Sequence, residues 1–466
     1  MNNFLKAFLS FGLATSIEKL LGFILLPIYT KYFNATEYGI IDMIGTILQV
    51  TCIFGLLQLE TSLQRYYYEY NSLKKKLLVS TVYYWISACS IVIGLLIFFI
   101  SPFLSQWLFG SVEYSLLIKT IAIQLPLTNI SMLGLVLLRF EKENVKFLIV
   151  IVTKVVTTLL FVYIFIIYLK LGLKGVFIAQ VSAIFCSTAL VTFYVRKQFV
   201  YKLSNIMSRK NLQYALPQFP ARVGSMVLGQ ANRFFMLGYL SLAAIGIYSV
   251  SMKLASSIQL VNTAFIMAWA PFMHAQFKKD NNKKLFADVF PIVVGVTFLF
   301  VCLISLFSLE LVKLLATKEF YSAYKYVGGL SLFFSLYIIK ETVDIGPKIK
   351  EKTKYLSFTF ILSVIVNIIS LFVLIQLLEL KGVVLAMVIT NLFLVILSWF
   401  ISNKLYPIPF SIVKFVLMLV PTLIVVILIM YIEISLFIRV LIGIGICSFF
   451  GINLIFAYKK TKEITE

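Results

Sequence analysis

Apolar residues in this 466-residue chain come in long runs, not in the alternating or one-faced patterns of a water-facing fold. Runs of spanning length fall near 7–30, 38–60, 77–100, 114–138, 147–169, 174–195, 213–238, 243–270, 286–309, 325–346, 355–378, 382–402, 410–431 and 434–457. A helix crossing the ~30 Å hydrocarbon layer needs about 20 such residues. The pattern therefore predicts an all-α polytopic membrane protein with about fourteen transmembrane helices. Fourteen helices use roughly 300 residues, so the connections are short and no folded soluble domain fits between them. Asn34, Gly39, Pro102, Gly110, Gly172, Gly175 and Pro347 punctuate the gaps.

The loops carry the charge. The chain has 41 Lys and Arg against 19 Asp and Glu, a net +22, with 61% hydrophobic and only 13% charged residues. That balance excludes a soluble enzyme, a nucleic-acid-binding domain, a secreted disulfide scaffold and a disordered tail. Alternate loops hold 26 of the cations, including Lys74–Lys76, Arg139 to Lys146, Arg196 to Lys210 and Lys348 to Lys354, whereas the opposite loops hold eight. This asymmetry predicts cytoplasmic N- and C-termini and an even number of spans. Cys52, Cys89, Cys186, Cys302 and Cys447 all lie in apolar runs without CxxC spacing and read as small core residues. The single His274 offers no histidine-based metal cluster. Glu18 and Lys19 interrupt the first apolar run, which argues against a cleaved signal peptide.

The chain also repeats itself. LGLKGVFIAQ at 171–180 and LELKGVVLAM at 378–387 match at six of ten positions, 207 residues apart. The same offset relates Tyr32 and Gly39 to Tyr239 and Gly246, Tyr114-Ser115 to Tyr321-Ser322, and the basic loop 139–146 to 346–353. A unit of six helices gives both copies the same orientation. The expected architecture is two parallel six-helix repeats, an N-terminal lobe over 1–200 and a C-terminal lobe over 201–405. Two additional helices and a basic cytoplasmic tail follow over 406–466. Parallel repeats predict an axis along the membrane normal with the substrate path between them.

Seven cations remain within or near the spans: Lys19, Lys119, Lys154, Arg222, Arg233, Lys253 and Lys340. An ionisable group in hydrocarbon is costly and persists where it faces a cavity or a partner. Snorkelling or local pairing accounts for such a residue near a helix end. Lys340, beside Glu341 and Asp344, fits that description. Arg222 and Arg233 are eleven residues apart, so they share a helix face about 16 Å apart in depth. Pro217 and Pro220 break the start of their helix, and Lys253 shares a face with Ser249 and Ser256 on the next. Asp42, Thr46, Gln49 and Glu60 form one stripe in the second run, and Lys19 sits beside Glu18 in the first. These stripes either line a water-filled path or pack polar groups between helices. As a path, Arg233, Arg222, Lys253, Lys19 and Lys154 form a cationic cavity suited to an anion, with arginine favouring phosphate. Asp42, Glu18 and Glu60 are candidate ion-pair partners, and one of them is a candidate for a coupling proton or sodium ion.

The stretches LLPIYTKYFNATEYGIIDM and YALPQFPARVGSMVLGQANRFFMLGYLSLAAIGIYSVSMKLAS resemble the Wzx-type oligosaccharide flippases of the multidrug/oligosaccharidyl-lipid/polysaccharide superfamily. The resemblance implies two six-helix lobes, usually with two extra helices. It also implies movement of an undecaprenyl-diphosphate-linked oligosaccharide, an O-antigen or capsule repeat unit, from the inner to the outer leaflet of the bacterial cell membrane. A polysaccharide polymerase and a chain-length regulator are the implied partners, beside membrane lipids. The family's mid-chain Asp-Arg pair stands here as Asn232-Arg233, and Lys253 matches a basic residue common in the following helix. With no P-loop in the sequence, the energy would come from an ion gradient or from onward use of the product. A lipid-linked peptidoglycan precursor flippase is the nearest alternative, since its diphosphate needs the same cations. A multidrug exporter calls for acidic cavity residues instead. A membrane polymerase or ligase calls for a large external loop that the chain lacks.

Overall fold

The apolar runs are realised as helix in the computed structural model. It describes residues 2–465 apart from 263–264, 266–268, 270–272, 274–275, 277–280, 351 and 353, and without the side chains of 2–15, 221, 228, 458 and 460–465. His274, Lys278 and Lys279 lie outside the described residues. All regular structure among the described residues is helical, and nine helices are long and apolar enough to cross a membrane. Large apolar side chains on their outer faces stand exposed, among them Phe99, Phe103 and Trp107, as a hydrocarbon surrounding requires. The chain is a multi-pass membrane protein.

The first compact unit is Met1–Arg233. It holds α1 (Asn2–Tyr32), α2 (Ala35–Leu56), α3 (Leu59–Tyr66), α4 (Ser72–Phe109), α5 (Ser115–Phe140), α6 (Asn144–Val162) with a π-helical end at Tyr163–Tyr168, α7 (Gly172–Val195), α8 (Asn205–Ala215) and the larger part of α9 (Phe219–Tyr239). Asn34 starts α2 with a reciprocal cap: its side chain accepts from the Glu37 amide at 2.9 Å, and Glu37 accepts from the Asn34 amide at 3.0 Å. Leu57 and Gln58, with φ of 47° and 59°, end α2, so Glu60 lies on the separate α3. The polar stripe expected to run from Asp42 to Glu60 therefore stops at Gln49, because the two left-handed residues reset the helical phase. Pro102 does not break α4 as its place in a gap suggested. The Phe98 carbonyl, which a proline four residues on cannot bond, accepts the Ser101 hydroxyl at 2.8 Å instead. The helix continues to Gly110, a left-handed cap with φ 68°. At Gly55, α2 lies against both neighbours: a Cβ there would sit 2.5 Å from Asn129 Nδ2 and 2.7 Å from Ser90 Oγ. Asn129 Nδ2 donates to Ser90 Oγ at 2.8 Å and to the Cys52 carbonyl at 3.2 Å, which links α5, α4 and α2.

The second unit, Phe234–Glu466, holds α10 (Leu242–Ala255), α11 (Asn282–Leu306), α12 (Ser308–Leu315), α13 (Tyr324–Val343), α14 (Ile345–Ile349), α15 (Lys354–Leu405), α16 (Ile412–Tyr431) and α17 (Leu436–Thr465). The final pair packs on α11. Phe290, Trp399, Phe410 and Phe415 form one ring cluster at centroid distances of 5.0–6.2 Å, fixing the start of α16. Arg439 on α17 forks onto Glu310 of α12 at 2.6 and 2.7 Å and also donates to the Leu306 carbonyl at 2.9 Å.

The sequence offset of 207 also relates backbone features. The cap residue Asn34 corresponds to Ser241, whose hydroxyl accepts from the Ala244 amide at 3.2 Å and starts α10. Gly172, with φ 59°, corresponds to Glu379, with φ 50°, where α15 breaks. Three residues on, a Cβ at Gly175 would lie 2.7 Å from the Phe165 carbonyl oxygen, and one at Gly382 would overlap that of Leu374. The repeated LKG motif thus encodes a tight reversal in which a new helix starts against the previous helix's backbone. Glu379 adopts the strained conformation without being glycine. Glu379→Gly is expected to stabilise the protein by about 1 kcal/mol. Thermal unfolding in detergent checks this, and an unchanged or lower midpoint would show that Glu379 is not strained.

Candidate functional site

The charged residues of the first unit resolve into pairs between helices. On α2, Asp42 and Gln49 are seven residues apart and share a face. On α9, Gln230 and Arg233 do the same one turn apart. Arg233 Nε donates to Asp42 Oδ2 at 2.5 Å, Arg233 Nη1 to Gln230 Oε1 at 3.0 Å, and Gln230 Nε2 to Gln49 Oε1 at 2.8 Å. The Arg233 and Asp42 side chains are only 11% and 22% exposed, so their attraction is little screened. Buried Thr46, one turn past Asp42, satisfies its own hydroxyl on the Asp42 carbonyl at 2.8 Å. The result is a four-residue chain of hydrogen bonds joining α2 to α9, with a charge-assisted bond at its head.

Glu18 on α1 accepts from Lys154 Nζ of α6 at 2.5 Å, and both side chains are partly exposed. Lys19 lies next to that pair and is half-buried. Glu60 is buried on α3, with Oε2 lacking a hydrogen-bond partner among the described residues, and the charge of the exposed Arg222 acts on it. Lys253 is half-buried on α10 in the second unit, where its carbonyl accepts the Ser256 hydroxyl at 2.6 Å. Asn232, standing where the resemblance expects an acid, is fully buried, and neither polar atom of its amide has a partner among the described residues. The acid that Arg233 meets comes instead from α2.

One further feature escaped sequence reasoning, and one expected pairing proves larger than expected: Lys340 meets Glu341 and Asp344 as its sequence neighbourhood predicted, and Lys348 joins them. The amide bridge from Gln230 to Gln49 was signalled only by its spacing from Arg233 and Asp42. In the second unit, Lys340 pairs with Asp344 at 2.6 Å and Glu341 at 3.1 Å, and Lys348 pairs with Asp344 at 2.7 Å and Glu341 at 3.0 Å. Asp344 is the turn residue between α13 and α14, and that turn brings Lys348 back onto the pair. Lys340 and Asp344 are almost entirely buried.

The first-unit network is electrically neutral at its head. In this state the Arg233 guanidinium is committed to a carboxylate, and an incoming anion must compete with Asp42 for it. Such a pair can exchange partners: a phosphate takes the guanidinium while the carboxylate takes a cation.

A family model described as polysaccharide biosynthesis protein matches residues 4–277. No curated protein matches the chain. Among solved structures, the lipid II flippase MurJ in an inward closed conformation superposes with a TM-score of 0.68 at 18% identity, covering 98% of this chain and 99% of that chain. An inward-facing multidrug resistance MATE family transporter of the MOP superfamily gives 0.63 at 13% identity, covering 85% and 97%. The MATE transporter VcmN of Vibrio cholerae gives 0.60 at 13% identity, covering 86% and 97%. At these identities the likenesses establish the fold. The family match spans more than half of the chain and includes the helices that carry Asp42, Lys154 and Arg233, and by it the chain belongs to the polysaccharide biosynthesis protein family.

Proposed function

We propose that this protein moves an undecaprenyl-diphosphate-linked oligosaccharide, an O-antigen, capsule or similar repeat unit, from the cytoplasmic to the outer leaflet of the bacterial inner membrane by alternating access. The observation that carries the reading is the Asp42–Arg233 pair, held by Gln230 and Gln49 between α2 and α9 of a polysaccharide biosynthesis family member. The substrate diphosphate cannot enter hydrocarbon without replacing its water. A guanidinium that trades Asp42 for phosphate supplies that replacement, while the polyprenyl tail stays in lipid. Asp42, once released, accepts a proton or sodium ion and couples the step to a gradient. Lys154, Lys19 and Arg222 add positive potential within the first unit, Lys253 is the candidate cation of the second, and Glu18 and Glu60 are further candidate coupling or pairing acids. The termini face the cytoplasm, a polymerase and a chain-length regulator take the product, and the protein itself carries out no covalent chemistry.

A second reading is that the substrate is a lipid-linked peptidoglycan precursor, favoured by the fold shared with the lipid II flippase MurJ. A deletion strain separates the two. Accumulation of a diphosphate-linked oligosaccharide inside the cell, with surface polysaccharide lost, is the expected result. Accumulation of the peptidoglycan precursor with lysis would select the second reading. Unchanged lipid intermediates with altered dye efflux would reject both.

A further inference from the structure

We infer that residues 196–217 form a docking surface for anionic phospholipid, built from α8 and the segment that leads into it. This stretch carries Arg196, Lys197, Lys202, Arg209 and Lys210 and no acidic residue. Lys197, Lys202 and Arg209 are exposed and have no ion-pair partner among the described residues. Lys210 is occupied elsewhere, donating to Tyr70 Oη at 2.9 Å and lying over the Tyr66 ring at 4.1 Å.

Apolar side chains lie on both faces of the segment, with Met207 and Leu212 packed inward against the core of the first unit. The fully buried positions of α8 are Ser208, Asn211 and Ala215, while Ile206 is 83% exposed on the opposite face. Tyr201 is wholly exposed, and Leu203 and Leu216 are about half exposed. A helix whose outer face meets only water carries polar residues there. One lying in a bilayer interface shows both cations and apolar side chains outward. The segment is fixed in this pose: Ser80 Oγ and Thr81 Oγ1 of α4 accept from the Val200 and Ser204 amides at 2.8 and 3.3 Å, and the Trp85 indole donates to Ser208 Oγ at 2.9 Å. Two cavities flank it. One, of about 490 Å³, is lined by Tyr84, Trp85, Ala88, Tyr201 and Leu203, an apolar and aromatic wall suited to the glycerol and upper acyl region. The other, of about 690 Å³, is walled mostly by the apolar Leu212, Leu216 and Pro217, with Arg209 on its lining as the cation to meet a phosphodiester. Charge complementarity selects an anionic lipid, since each cation near an anionic surface favours it about fivefold.

The test reconstitutes the full chain in nanodiscs of phosphatidylcholine with added phosphatidylglycerol and counts the lipids that remain bound on release into native mass spectrometry. Wild type is expected to retain phosphatidylglycerol over phosphatidylcholine, and raising the salt should weaken that preference. Lys197→Gln/Lys202→Gln/Arg209→Gln should reduce the preference by up to about a hundredfold, at about fivefold per cation. Ile206→Ser should lower retention of both lipids without altering their ratio. A triple variant with wild-type preference would overturn the inference, as would a wild-type preference insensitive to salt. The salt series on wild type decides the matter should the triple variant fail to fold.

Discussion

Arg233→Ala is expected to reduce export of lipid-linked oligosaccharide at least about thirtyfold, the effect of truncating one member of a buried hydrogen-bonded charge pair. Arg233→Lys should recover only part of it, because an ammonium cannot reproduce the planar fork that reaches both Asp42 and Gln230. Asp42→Asn tests the exchange of partners directly. It keeps the guanidinium and removes its competitor, so substrate should bind while transport stops responding to an imposed proton or sodium gradient. The measurement is transfer of labelled lipid-linked oligosaccharide across proteoliposomes with and without each gradient. Wild-type rates from Arg233→Ala would remove the pair from the mechanism, and a gradient response retained by Asp42→Asn would move the coupling to Glu18 or Glu60.

The second large effect concerns folding. Asp344→Ala should destabilise the protein by about 3–5 kcal/mol, because it leaves Lys340 buried with one carboxylate where there were two. Lys340→Met/Asp344→Leu, which removes both charges and keeps the volume, should lose much less. Lys340 also lies over the Phe360 ring at 4.9 Å, so a methionine there keeps an aromatic contact. Unfolding of the purified variants in detergent checks this. A double variant as unstable as the single would show that the charges themselves hold the helix ends together.

The helical layout was legible because a spanning helix is a one-dimensional object: a run of apolar residues of the right length has few other ways to fold. The misreadings were local. Pro102 resembled a break because the sequence does not reveal that Ser101 takes over the freed carbonyl, and Glu60 seemed continuous with Asp42 because a left-handed pair such as Leu57-Gln58 carries no glycine to announce it. Charges were harder to read. Composition put five cations and three acids within the candidate stripes, but pairing depends on how each helix is rotated and on its depth, which no single helix records. The geometry joins Glu18 to Lys154 and Asp42 to Arg233, matches made across 136 and 191 residues of chain. The acid that the resemblance led one to seek beside Arg233 was absent from position 232 and present on another helix.

The Gly55–Ser90–Asn129 junction has a mechanical meaning. A single interhelical hydrogen bond between membrane helices is weak, about 0.6 kcal/mol on average. Here, however, Asn129 bonds α2 and α4 at once, at a point where only a glycine leaves room for the Asn129 amide and the Ser90 hydroxyl. Three helices are so fastened at one point, and Asp42 lies on one of them, α2. Displacing α2 alone would break the Asn129 bond to the Cys52 carbonyl, so α2 keeps that bond only by moving together with α5. The position of the carboxylate is therefore tied to that of two neighbouring helices as well as to its own.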